Sequence, residues 1–399
     1  MTDPWVRFAE RAARARSAGF FERRTDPVHG GGVAYSFTGA DEIRPLGANE
    51  ELEALARETD RFLRGGNDRA VIGYVGFDAV GWFEPRLARR PGGSPFPLGE
   101  LALAERVEQH RLPPRRSVRP LARRLRNSPV EATLSRPAFE QAVRRLREAI
   151  YAGEAFQIVL AQRRRWPRPA DLLERAGRLR QAEAYAYFYY LKLGDREIVG
   201  ASPENVVELR PGRLTVDPIA GTVPRRWSAR VGRRPLALDP KELAEHRMLV
   251  DLARNDLGRV ARPGSVRLAF TERRRRYARV DHLVSRVVAT PRRGVGPWEA
   301  LAATFPAGTV SGAPKIRATE LLRREERSWR GPYAGAVGLI RGPATADWAL
   351  AIRTGFATKE RLYTAAGAGI VQASRPRQEY DETLAKLELV EAALVGGAP

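Results

Sequence analysis

Between Ser135 and Gly153 the apolar residues Phe139, Val143, Leu146 and Ile150 recur every three or four positions, the spacing that sets side chains on one face of a helix. Ser135 is placed to cap that helix, Pro137 lies in its first turn and Gly153 ends it. "NEELEALARETDRFLRGG" has the same period and a glycine stop. "LDPKELAEHRMLVDLARNDLG" reads as a helix capped by Asp239, with Pro240 in its first position and Gly258 at its end, and "RPRQEYDETLAKLELVEAAL" as one opened by Pro376. Elsewhere β-branched and aromatic residues cluster into segments broken at Gly and Pro. "AVIGYVGFDAVGWF", "FQIVLAQRRR", "YAYFYYLKL" and "REIVGASPENVVELRPGRLTVDPIAGTVPRR" read as strands, with hairpin signals at "RPGRL" and "TKERL".

Helices and strands alternate irregularly, and no internal repeat is found. The pattern predicts an α+β protein of large, mostly antiparallel or mixed sheets covered by helices, not a regular βαβ repeat. "HRLPPRRSVRPLARRLRNSP", rich in Pro and Arg, places a boundary near residue 130, so that 1–130 and 131–399 are expected as two parts.

A chain of 399 residues is long enough for a substantial core. No apolar run approaches the ~18 residues of a membrane span, and the first residues lack the apolar stretch of a secretory signal, which predicts a cytoplasmic protein. There is no cysteine, excluding disulfides, thiolate metal sites and a cysteine nucleophile, and the imidazoles are only His29, His110, His246 and His282. A net charge of +22 invites a nucleic-acid reading, but the arginines are spread through every segment and their densest runs have few aromatics for base stacking. Such charge serves an acidic substrate or partner equally well.

Glu242 and Glu245 lie three apart near the start of one helix, and Glu379 and Glu382 near the start of another, where Lys386 shares their face. Taken singly, each pair is an ordinary solvated helix surface. Should the pairs converge, they would make an oxygen-rich site for a hard divalent cation, for which Mg²⁺ is the best fit. A di-iron centre would want Glu-x-x-His on two helices, whereas His246 directly follows Glu245; zinc is poorly served too.

Eight stretches, in chain order "GASPE", "PIAGT", "DPKELAEHRMLVDLARNDLGRV", "FPAGTVSGAPKIRA", "GPYAGAVG", "AIRT", "AGAGIV" and "EYDETLAK", make the chain resemble the chorismate-binding enzymes, most closely those of the anthranilate synthase component I type. The likeness covers about residues 136–394, is loose before that, mainly in "VIGYVGFDAV", and implies an α/β sandwich of large, mostly antiparallel or mixed sheets packed together and flanked by helices. It implies that Glu245 and Glu382 are the chief Mg²⁺ ligands, with Glu242 and Glu379 beside them, around the ring carboxylate of chorismate. Arg353, Tyr333 and Lys386 would bind the other carboxylate, Gly367 and Gly369 would offer backbone N–H groups, and Gly221 and Thr222 of "PIAGT" would line the substrate. Glu204 corresponds to the general acid that protonates the departing ring hydroxyl, and His282 to the histidine that assists the later elimination. The small residues of "GTVSGAPK" would let backbone approach a compact dianion with Thr309 in contact, while Lys315 is expected to pair with a nearby carboxylate.

Members that add water to chorismate resemble one another in a lysine base where this chain has Gln157, and many aminodeoxychorismate synthases carry a nucleophilic lysine where it has Ala220. The resemblance therefore implies attack by ammonia at ring C2, then loss of pyruvate to give anthranilate, for tryptophan biosynthesis. Aminodeoxychorismate synthesis is the alternative enzyme reading, and a non-catalytic chorismate or nucleic-acid binder the alternative from another class. Lacking cysteine, the chain cannot supply ammonia from glutamine itself, which implies a glutaminase partner (component II) in a hetero-oligomer. Tryptophan-inhibited members carry "LLES" and "NPSPYMFYL" where this chain has "FFER" and "EAYAYFYYL", so weak or altered inhibition is expected.

Overall fold

The computed structural model describes residues 3–26, 30–88, 92–115, 131–182, 184–224, 240–276 and 280–396. Two ten-stranded sheets dominate it, and every strand pairing between named strands is antiparallel.

One sheet runs from edge to edge as β16 (Gly312–Ala313), β8 (Gln157–Pro167), β20 (Arg361–Ile370), β19 (Thr354–Ala357), β10 (Arg196–Ser202), β9 (Tyr187–Leu193), β1 (Ser17–Arg24), β2 (Gly32–Thr38) and β6 (Glu108–Leu112), with β7 (Glu131–Ala132) also on β8. The other runs as β13 (Ile219–Pro224), β15 (Val280–Ala289), β12 (Arg213–Val216), β11 (Asn205–Arg210), β18 (Thr345–Leu350), β17 (Ala336–Gly342), β4 (Ala70–Val75), β5 (Gly99–Ala104) and β3 (Glu42–Leu46), with β14 (Arg267–Arg276) also on β15. The helices are α1 (Pro4–Arg14), α2 (Leu52–Leu63), α3 (Val80–Phe83), α4 (Arg136–Tyr151), α5 (Leu172–Ala182), α6 (Pro240–Gly258), α7 (Pro297–Thr304), α8 (Gly308–Ser311), α9 (Lys315–Glu326) and α10 (Pro376–Leu394).

The continuous apolar run of β9 follows from burial on both faces. Tyr187, Tyr189 and Leu191 enter the main core with Phe21, Ile198, Val207 and Leu209; Phe188 and Tyr190 point the other way, to Phe20 and Val199 under α1 and α5. Helix α4 forms as its pattern predicts. Ser135 Oγ accepts from the Ala138 N–H at 3.4 Å, and Phe139, Val143 and Leu146 are buried. Asp239, the expected cap of α6, lies outside the described residues.

The segment before residue 115 supplies three strands to each sheet. β1 pairs with β9, and β4 with β17. The two parts distinguished in the sequence therefore share both sheets and one core, and the expected boundary itself lies outside the described residues.

Twice, side by side, the chain crosses from one sheet to the other. Ser202–Asn205 carries β10 into β11, and Leu350–Thr354 carries β18 into β19. The Ala201 N–H donates to the Arg353 carbonyl (3.1 Å) and the Leu350 N–H to that of Glu204 (3.0 Å), tying the crossings together. The candidate site opens there.

Candidate active site

A pocket of about 130 Å³ lies between the sheets at the crossings, lined by Glu204, His282, Thr309, Tyr333, Arg353 and Lys386 together with Val159, Val310 and Gly367. These come from both sheets, both crossings, α8 and α10.

Glu204 is buried, and its Oε1 accepts a hydrogen bond from Thr309 Oγ1 at 2.9 Å. Burial, which penalises the charged form, pushes its pKa up to about 8; Asp217 pushes the same way, while the Thr309 hydrogen bond and Lys386 oppose it. The carboxyl therefore carries its proton at neutral pH, as a proton donor must. His282, on β15, is buried against the same space.

Arg353 sits at φ 53°, a left-handed conformation uncommon for a side chain other than Gly, Asn or Asp. Its carbonyl is fixed by Ala201, so the crossing holds a residue in strained backbone at the pocket wall. Tyr333 is buried, and burial lifts its phenol to about 12, so it stays protonated; the Gly367 N–H hydrogen-bonds its oxygen. Lys386 Nζ donates to the Gly367 carbonyl at 2.8 Å and pairs with Glu382 at 2.6 Å. The Gly367 carbonyl is thus taken up by Lys386 within the protein, at the pocket wall.

Beyond Gly367 along β20, a Cβ on Gly369 would meet Gln157 Nε2 at 2.5 Å and Glu245 Oε1 at 3.6 Å. Gln157 Nε2 donates to Glu245 Oε1 (2.7 Å), while its own Oε1 is buried with no hydrogen-bond partner. Glu245 from α6 and Glu382 from α10 thus approach neighbouring positions of one strand. Among the described residues no three His, Asp or Glu side chains gather closely enough to hold a metal, and Glu382 is drawn to Lys386 one turn along its helix. The side chains of Glu242, Gly221 and Thr222 lie outside the described residues.

The small-residue stretch serves packing as well as the pocket. A Cβ on Gly308 would fall 2.0 Å from Leu252 Cδ2, and on Gly312 (φ 131°) 2.2 Å from the Gln157 carbonyl oxygen. The glycines let α8 and β16 press against α6 and β8, which carries Thr309 to Glu204. Lys315 pairs with buried Asp256 at 2.7 Å and donates to the Thr304 carbonyl, as expected. Sequence reasoning missed Asp217, which bears on Glu204, and the open amide oxygen of Gln157; neither stands out from its neighbours along the chain.

The sequence model of the chorismate binding enzyme family matches residues 19–391, so the chain belongs to the chorismate-binding enzymes. Within it, the chain is 37% identical to "Anthranilate synthase component 1" of Streptomyces coelicolor, over 90% of this chain and 80% of that one. It is 36% identical to the protein so named from Pseudomonas aeruginosa, over 80% and 73%. The crystal structure of anthranilate synthase component I from Streptococcus pneumoniae superimposes with a TM-score of 0.74 at 30% identity, covering 94% of this chain and 92% of that one. Among the described residues no helix is long and apolar enough to cross a membrane.

Proposed function

We propose that the chain is the chorismate-converting subunit of an anthranilate synthase, a lyase that turns chorismate and ammonia into anthranilate and pyruvate. The observation that carries this reading is the buried Glu204 carboxyl, its pKa pushed up to about 8, held by Thr309 in a pocket whose other walls present Arg353, Lys386, Tyr333 and His282.

Arg353 and Lys386 supply positive charge for the enolpyruvyl carboxylate, and Tyr333 a hydroxyl beside it. Ammonia adds at ring C2 with its lone pair, the ring double bonds shift, and the C4–oxygen bond breaks. Glu204 gives its proton to that oxygen, which leaves as water, and such a positioned acid contributes roughly 10²–10⁴ in rate. The ammonium formed loses a proton, leaving a neutral amine. In the second stage a ring proton is removed, with His282 assisting, and pyruvate departs as the ring becomes aromatic.

Glu245 and Glu382, with the open oxygen of Gln157 nearby, suit a hard cation that takes few protein oxygens. Bound there, Mg²⁺ would neutralise and anchor the ring carboxylate. The lack of cysteine supports a separate glutaminase that delivers NH₃, and we place the pair in the cytoplasm.

The test is incubation of purified protein with chorismate, Mg²⁺ and excess ammonium at a pH no higher than about 8, where Glu204 still holds its proton, with products resolved by chromatography. Anthranilate and pyruvate in equal amounts are expected. Accumulation of an aminodeoxychorismate, or no turnover, would refute the reading.

A further inference from the structure

Arg330 belongs to none of the lining groups, yet it is among the most deeply buried charges in the protein, 4% exposed, in the turn between α9 and β17. Its guanidinium donates Nη1 to the Val310 carbonyl (2.7 Å) and Nη2 to the Val159 carbonyl (2.7 Å). Nε and Nη2 are held by Glu326 at 2.9 and 2.5 Å, and Glu326 Oε1 also accepts from the Ala161 N–H at 2.8 Å. On the backbone side, the N–H groups of Arg330 and Gly331 both donate to buried Asp78 Oδ2 (3.1 and 2.7 Å).

Val310 and Val159 line the pocket. Val310 follows Thr309, whose hydroxyl reaches Glu204, and Val159 lies opposite Gly369 on β8, two residues from Gln157. Three residues beyond Arg330 is Tyr333. One planar group with five donors thus joins α8, β8 and the Tyr333 turn, an arrangement that a point-charge lysine cannot reproduce. A hydrophobic residue would fill the space but leave Glu326 buried and two carbonyls unpaired.

We propose that Arg330, clamped by Glu326 and Asp78, is a positioning residue of the reaction: it sets Thr309 against Glu204 and Tyr333 against Gly367. The proposal rests on the chorismate reading of the pocket. Its distinguishing consequence is electrostatic. The groups that face Glu204 are Thr309, Asp217 and Lys386, with His282, Tyr333 and Arg353 on the other walls. Only the Thr309 bond depends on α8. Loosening α8 removes a bond that favours the carboxylate, so Glu204 holds its proton to higher pH.

The experiment compares wild type, R330K, T309V and the double variant in steady-state conversion of chorismate at fixed free NH₃ across pH, with melting temperature measured alongside. If wild type forms no anthranilate, the reading of the reaction fails, whatever Arg330 does. Given turnover, R330K is expected to lower kcat/KM for chorismate by about 10- to 100-fold, to raise KM, and to move the alkaline limb upward in the direction of T309V, with no further move in the double variant. E326Q, which keeps an oxygen for Ala161, should do the same more weakly and stands in should R330K not fold. A merely structural arginine would lower kcat through lost folded protein while KM and the limb stayed at wild-type values, and that result overturns the proposal.

Discussion

Burial holds the Glu204 carboxyl at about 8, whereas in an unfolded chain it titrates near 4.5. Between those values the unfolded chain has released a proton that the folded protein keeps, so stability falls as pH rises across this window, by on the order of 5 kcal/mol. E204Q has nothing to ionise there. In urea unfolding it should match wild type near pH 4.5 and exceed it at pH 8, while its activity falls by roughly 10²–10⁴; no gain at pH 8 would contradict the burial. Arg353→Lys keeps the charge but loses the flat fork, and KM for chorismate should rise about tenfold or more; an unchanged KM would remove Arg353 from the binding wall. Glu204, Arg353 and Tyr333 were legible because each sits in a short quoted motif. Arg330 was not, because a chain of 69 basic residues gives no reason to single out one arginine. Its role lies in two carbonyls, Val159 and Val310, that are far apart in sequence.

At the scale of elements, apolar period and turn chemistry placed α4, α6, α10 and the strands β8 to β11, since these depend on local pattern. The purpose of "FPAGTVSGAPK" was only half legible. Its bareness suggested room for substrate, but Gly308 and Gly312 face Leu252 and the Gln157 carbonyl, neighbours that no sequence spacing reveals. The "FFER" segment is β1, and its Glu22 is wholly buried, bonded to Arg24 (2.6 Å), Arg180 (2.7 Å) and the Tyr185 hydroxyl (2.7 Å). These charges satisfy one another between β1, α5 and the segment leading into β9. We propose that tryptophan therefore inhibits weakly; titration of the activity with tryptophan should show little loss, and full inhibition at micromolar tryptophan would contradict this.

For the whole molecule, the sandwich matters because the pocket exists only where the chain crosses between sheets. The alternation of strands and helices predicted large helix-covered sheets, but not which strands meet, since that is set by pairings as distant as β1 with β9 and β4 with β17. Arg23 of β1 bonds Glu208 of β11 at 2.6 Å and pairs with Asp347 of β18 at 3.2 Å, so the N-terminal segment also ties one sheet to the other. A fragment of residues 131–399 would leave those carboxylates buried without that partner and two central strands with bare edges. It should not fold cooperatively in thermal unfolding, and a sharp transition would mean that the parts are separable. The account as a whole depends on Glu204 delivering a proton. The direct measurement is kcat/KM for chorismate against pH at fixed free NH₃: activity should fall along a single limb centred near pH 8 and that limb should vanish in E204Q, whereas a wild-type profile still level at pH 9.5 would show that another group protonates the leaving oxygen.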